Sequence, residues 1–270
     1  MKPENFQYMA TLAKERSGLV LKEDKVYLLD SRLMPLARRK NIETLDEFVE
    51  AIRRNNDFNE QTEVVEALTT NETLFFRDTK PFDIFREQVM PTIFQTRTAN
   101  KKFRIWSAAS SSGQEPYSLV MLLDQMGSQL AGWQYEIVGT DLSMEILQKA
   151  QDALYTQFEV QRGLPVEMMV KYFEPEGPKW RFKQAYREKV KFQKANLLEN
   201  QSALGKFDIV FCRNVLIYFE KETKGRVLDM IANMMPADGK LFLGGAETVL
   251  GLTDKFEAVQ GVKGLYQKTG

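Results

Sequence analysis

Apolar residues return every third or fourth position through the first part of the chain. Phe6, Met9, Ala10 and Ala13 mark one helical face, and Gly18 follows as a terminator. Val26, Leu29, Leu33, Leu36 and Ala37 mark a second helix. A third carries Leu45, Phe48, Val49 and Ile52, and is opened by Thr44 with Glu47 at capping-box spacing. A fourth helical stretch runs from about Asn59 to Leu68. The pattern predicts an N-terminal helical domain over residues 1–70.

From about residue 100 the rhythm changes to strand and then helix. Phe103–Trp106, Tyr135–Thr140, Val190–Phe192, Phe207–Phe211 and Leu241–Leu243 read as strands, with helices from Tyr117, from Ser143 and through Val227–Met234. Such alternation predicts an α/β domain over residues 71–270, built on a doubly wound, mainly parallel sheet covered on both faces. At about residues 172–190 the alternation breaks. Pro175, Gly177 and Pro178 mark turns, and Trp180-Arg181-Phe182-Lys183 alternates with period two, as expected of a small antiparallel β insertion.

Composition narrows the chemistry. With 43% hydrophobic and 27% charged residues the chain is an ordinary globular protein. Its 37 Lys and Arg balance 37 Asp and Glu, so it has no global electrostatic footprint for nucleic acid. One cysteine excludes an intrachain disulfide, and the absence of histidine removes the commonest metal ligand and the commonest general base. The expected chemistry therefore uses neither a metal nor an imidazole. No stretch of about 18 apolar residues is present, and the first ten residues lack a signal-peptide core, so no membrane insertion is expected and a cytoplasmic location fits.

Ligands of open parallel sheets bind at the carboxyl ends of the strands. The loop after Trp106 has one glycine, Gly113, and otherwise small residues that let a ligand approach the backbone; a tight strand-to-helix turn is the alternative. Asp141 ends the second strand, placed either to accept ribose hydroxyls or to cap the next helix. Asn196 and Leu197 follow the third strand as a polar contact and an apolar wall for an adenine, or as a simple turn. Arg213 and Asn214 sit at a strand end and are costly to bury without partners. Cys212 reads as inert core, and Phe75 and Phe76 as anchors beside Arg77. Lys25, Arg32 and Arg39 recur at heptad spacing along the second helix, as a docking stripe or a solvated face.

Three blocks carry a closer likeness: Asn71-Glu72-Thr73-Leu74-Phe75-Phe76-Arg77-Asp78, the run Ser107–Ser118, and Phe211-Cys212-Arg213-Asn214-Val215-Leu216-Ile217-Tyr218-Phe219. Together they resemble the CheR family, bacterial chemotaxis methyltransferases that esterify receptor glutamates with S-adenosylmethionine. The resemblance implies a methyltransferase-type fold and a cofactor site including Asn71, Thr73, Arg77 and Glu115. It extends that site to Asp141, Asn196, Leu197, Arg213 and Asn214. Arg77 and Tyr218 match the pair placed nearest the transferred methyl; Gln114 matches more loosely, since an acid is common there. The implied products are a receptor methyl ester and S-adenosylhomocysteine. The implied partner is the glutamate-rich helical bundle of chemoreceptors, met by a monomer through Lys25, Arg32 and Arg39. In some members only, the β insertion binds a receptor tail. A non-catalytic cofactor-binding scaffold and a nucleic-acid methyltransferase of the same fold are the rival readings.

Overall fold

The computed structural model describes residues 1–269. They divide into two units, residues 1–70 with 217–226, and residues 71–216 with those from 227 onward. The first unit contains α1 (Pro3–Ser17), α2 (Val26–Arg39), α3 (Leu45–Asn55) and α4 (Phe58–Leu68). Pro3 opens α1 where a missing N–H costs nothing, and Gly18 closes it in the left-handed conformation, its amide donating to the Lys14 carbonyl. At the start of α3 the Glu47 amide donates to Thr44 Oγ1 at 3.2 Å, the forward half of the expected box. Met9, Leu29, Leu33, Phe48, Val49, Ile52 and Val65 form the buried interior of this unit. The segment 217–226 is fastened to it: the Val20 amide donates to the Tyr218 carbonyl at 3.0 Å, and Lys14 pairs with Glu220 at 2.8 Å.

The second unit opens with a helical stretch absent from the sequence reading: α5 (Lys80–Ile84), a π-helical turn (Phe85–Val89) and α6 (Met90–Thr96). There follow β1 (Lys102–Ala108), α7 (Gln114–Gln125), β2 (Gln134–Asp141), α8 (Met144–Asp152), β3 (Leu154–Thr156), α9 (Gln157–Gln161) and α10 (Val166–Tyr172). Next come β4 (Phe173–Glu176), β5 (Lys179–Phe182), α11 (Gln184–Arg187), β6 (Val190–Lys194) and β7 (Ile209–Cys212). The chain closes with α12 (Lys221–Asn233), β8 (Lys240–Leu243), β9 (Phe256–Ala258) and β10 (Leu265–Lys268); the division between units falls within α12.

Seven strands form one sheet in the order β6-β2-β1-β7-β8-β10-β9. The first five are mutually parallel, and β10 and β9 add an antiparallel edge. Ile105 stands beside Ile137 on one side and Ile209 on the other, all fully buried, which is why these strands read as continuous apolar runs. Being parallel, β1, β2, β6, β7 and β8 deliver their carboxyl ends to one edge. The insertion is a three-stranded antiparallel sheet, β3-β5-β4. Its β4–β5 hairpin falls where turn residues and alternation point, whereas β3 lies earlier, too short for any period to show. Phe75 joins this sheet to the core: its ring meets Tyr155 and Phe173 edge-on at 5.1 and 5.4 Å.

Candidate functional site

The loop after β1 is held in an unusual backbone conformation. Ala109 (φ 56°), Ser111 (φ 49°) and Gly113 (φ 91°) are all left-handed, which turns successive amides inward. Asp141, at the end of β2, answers them: Oδ2 accepts the Ser111 amide at 2.9 Å and Oδ1 accepts the Ser143 amide at 3.1 Å. The acid thus orders both neighbouring loops. Capping of α8 itself falls to Ser143, whose hydroxyl accepts the Ile146 amide. From the insertion, the buried Tyr155 hydroxyl donates to the Ser112 carbonyl at 2.7 Å. Burial pushes that phenol well above its ordinary range, so it stays a donor.

A second network crosses from α7 to β7. Ser107 Oγ donates to Glu115 Oε1 at 2.8 Å, and Arg213 Nη1 donates to Glu115 Oε2 at 2.9 Å. Arg213 Nη2 reaches Asp78 Oδ2 at 2.7 Å and the Arg77 carbonyl at 2.9 Å. The Arg213 side chain is 1% exposed, so pairing is what makes its charge tolerable there. It lies over the Phe82 ring, and its Nε has no partner among the described residues. Arg213 therefore braces the backbone at Arg77. The Phe76 amide is held in turn by Ser118 Oγ at 2.9 Å. Phe76, Asp78 and Thr79 are all left-handed, a costly state for a β-branched threonine. The half-buried Arg77 guanidinium spends one N–H on its own loop, at the Glu72 carbonyl. Its remaining N–H groups have no hydrogen-bond partner among the described residues.

Hydrogen bonds thus link Asn71 through Ser111 to Asp141, and Arg77 through Arg213 to Glu115. Thr73 sits half-buried in the same loop as Arg77. Asn196 Oδ1 accepts the Leu198 amide at 3.0 Å, a turn geometry, and Leu197 is buried. The Ala195 amide donates to the Asp141 carbonyl at 2.9 Å, tying the β6 end to the β2 end. Asn214, left-handed at φ 59°, follows β7. Cys212 is fully buried, and desolvation holds its thiol well above the ordinary value, so it is inert packing. Tyr218 is half-buried and belongs to the helical unit, not to the α/β unit that carries the other site residues.

The proposed docking stripe is not uniform. Lys25 ends the short 3-10 turn before α2 and is exposed. Arg39 is exposed and pairs with Glu63 at 2.5 Å. Arg32 is half-buried: it donates to the Leu68 carbonyl and to Thr70 Oγ1 at 3.0 Å, so it caps α4. Ser107, Ser118, Tyr155 and Glu247 are site-building residues that the sequence reading passed over. The signal for Glu247 was an acid three positions after the glycine that ends β8.

Two acceptors and an orphaned donor suit S-adenosylmethionine. Asp141 can take a ribose diol and Glu115, with capacity left after Ser107 and Arg213, an ammonium. The Ser110 hydroxyl in the same loop is buried with no partner among the described residues.

The chain is similar to known proteins over nearly its whole length. Residues 71–265 match the family model described as the CheR methyltransferase SAM binding domain, and residues 4–69 match the CheR methyltransferase all-alpha domain. The chain is 41% identical over 262 residues to chemotaxis protein methyltransferase Cher2 of Pseudomonas putida, covering 95% of this chain and 94% of that protein. It is 42% identical to chemotaxis protein methyltransferase 1 of Pseudomonas aeruginosa, with the same coverage. A relative named chemotaxis protein methyltransferase from Salmonella typhimurium is 32% identical over 93% of this chain and 86% of its own length. With both of the family's domains matched in order and the cofactor loops built as described, the chain belongs to the CheR family of S-adenosylmethionine-dependent methyltransferases.

Proposed function

We propose that the protein methylates glutamate side chains of chemoreceptors, giving methyl esters in the sensory adaptation of bacterial chemotaxis. The observation that carries this reading is Arg77: a braced, half-buried cation with N–H groups to spare, in a chain without histidine. A glutamate carboxylate, with an ordinary pKa of about 4.3, is anionic at neutral pH and needs no general base. It needs to be held and partly neutralised, which a guanidinium does.

When bound, S-adenosylmethionine supplies a sulfonium-activated methyl group whose transfer to a carboxylate oxygen gives the neutral ester and S-adenosylhomocysteine. Asp141, Asn196 and Leu197 would hold the nucleoside, and Glu115, Asn71, Thr73 and Asn214 the remaining polar groups. Arg213 keeps the Arg77 loop in place through the Arg77 carbonyl and Asp78. Arg77 neutralises a carboxylate, the receptor's or the cofactor's own, and the Tyr218 hydroxyl orients the attacking oxygen. Holding the groups in register supplies much of the acceleration in such a reaction.

The receptor's acidic helices are the proposed partner of the helical unit, met in the cytoplasm. Lys25 and Arg39 are its exposed cations on this stripe, while Arg32 holds the α4 terminus and contributes indirectly. No helix among the described residues is long and apolar enough to cross a membrane. The test is incubation with methyl-labelled S-adenosylmethionine and a receptor cytoplasmic fragment. Base-labile label on the fragment, lost when its acceptor glutamates are replaced by alanine, is expected. Base-stable label, or none, overturns the assignment.

A further inference from the structure

The carboxylate of Glu247 accepts three backbone amides at the ends of two neighbouring strands. Glu247 lies on the turn after β8, its own amide donating to the Gly244 carbonyl at 2.9 Å. The side chain folds back over that turn. Oε2 accepts the Gly244 amide at 2.6 Å and the Asn214 amide at 2.8 Å, and Oε1 accepts the Val215 amide at 3.0 Å. Strand ends lose their ladder partners, so these amides need another acceptor. Consecutive amides around the left-handed Asn214 form a concavity suited to an anion, and here the anion is a side chain of the protein itself.

Gly244 fits the same picture. A Cβ at this position would stand 2.7 Å from Glu247 Oε2, 2.9 Å from Asn214 Nδ2 and 3.0 Å from the Asn214 amide nitrogen. Its backbone is not left-handed, so glycine is needed here for close approach and not for conformation. The Asn214 side chain is therefore packed over Gly244 by the same contact that seats the carboxylate.

We propose that Glu247 is a positioning residue of the cofactor site, fixing the strand-end turn that holds Asn214 in its binding conformation. The proposal rests on the assignment of Asn214 to the cofactor. Glu247→Gln leaves one side-chain oxygen for the three amides that two oxygens share in the parent, so at least one amide loses its acceptor and the left-handed turn relaxes.

The test is calorimetric titration of S-adenosylhomocysteine into the full chain, with melting curves as a check on folding. Glu247→Gln is expected to weaken binding about tenfold, the scale of a lost charge-assisted bond. Placed in an Asn214→Ala background, the same substitution is expected to change affinity less than about twofold, because coupled residues are not additive. A merely structural Glu247 would weaken both backgrounds equally, and that additivity overturns the proposal. Gly244→Ala is the second probe: its methyl displaces both groups and should give the same loss and the same coupling, deciding the matter alone if Glu247→Gln does not fold. Parental affinity in a folded Gly244→Ala or Glu247→Gln variant also overturns it. If Asn214→Ala binds normally while Glu247→Gln does not, Glu247 acts elsewhere and the proposal fails with the cofactor reading intact. A parent that binds no S-adenosylhomocysteine sinks both.

Discussion

The two ends of the seven-stranded sheet are built on opposite principles. At the amino ends of β1, β7 and β8 the charges are closed into a clamp. Arg97, just past α6, donates to Asp208 at 2.8 Å and forks onto both oxygens of Asp238 at 2.8 and 2.7 Å. The second oxygen of Asp208 accepts the Arg104 amide at 2.8 Å. Every partner saturates another, and the residues carrying the clamp have ordinary backbone angles. At the carboxyl ends the polar groups are as dense, yet strain and unfilled capacity accumulate. Of ten left-handed residues other than glycine among the described residues, six fall in the loops carrying Phe76–Thr79, Ala109–Ser111 and Asn214. The orphaned Ser110 hydroxyl and Arg213 Nε lie there too. Such strain persists only where surrounding bonds enforce it. One end stabilises the sheet; the other is stabilised by it, and is where the cofactor is proposed to bind.

The sharpest way to separate the ends is to remove a group proposed to serve the chemistry, with a single hydrogen bond to its own loop. Arg77→Ala is expected to lower receptor methylation about a hundredfold, the scale for deleting a charge-stabilising donor. Its melting temperature should stay near parental, since the backbone brace from Arg213 remains. Turnover near parental would remove Arg77 from the mechanism. The mirror experiment is Arg97→Ala. It leaves two carboxylates without their partner and is expected to cost about 2 kcal/mol, or about 5 °C in melting temperature. Affinity for S-adenosylhomocysteine should not change; a drop of several-fold would show the two ends to be coupled.

How much of this was legible in the chain follows the same divide. The helices and the parallel strands were visible because their apolar periods are long, and Thr44, Ser143 and Gly18 punctuate them as local chemistry requires. What stayed hidden was made by contacts remote in sequence. No local pattern says that Tyr155 donates to Ser112, that Ser118 holds the Phe76 amide, or that Glu247 gathers amides from β7 and β8. The stretch Lys80–Thr96, strand β3 and the β9–β10 hairpin are short or irregular and owe their form to packing. Among the site residues, Asp141 and Asn214 could be placed at strand ends from rhythm alone. Arg213 could be singled out as a charge costly to bury at a strand end, Glu115 only through family likeness, and the geometry adds that they pair with each other.

Asp141 lies where the two principles meet, since its carboxylate both orders loops and is proposed to hold the ribose. Asp141→Asn keeps the shape but loses one charge-assisted acceptor, so S-adenosylhomocysteine should bind about tenfold more weakly. The melting temperature should fall by about 2 °C as the Ser111 or Ser143 amide loses its partner. A melting shift without any affinity change would assign Asp141 to loop order alone.

The smallest expected effect concerns acid. The hydrogen bond from Arg97 holds the Asp238 carboxyl below its ordinary value of 3.8, with partial burial opposing it and the guanidinium charge adding to the lowering. A carboxylate with a depressed folded-state pKa contributes stability that is fully present above the unfolded value. That stability is lost as pH falls through the lower folded value, because the unfolded chain takes up the proton first. Asp238 is 41% exposed on its side chain, so solvent screens the pair and the contribution is modest. Melting curves of the parent and of Asp238→Asn should therefore lie apart at pH 6 to 7 and draw together as pH falls below about 4. Curves that stay equally separated down to pH 3 would show that the clamp's strength does not come from the charge on Asp238.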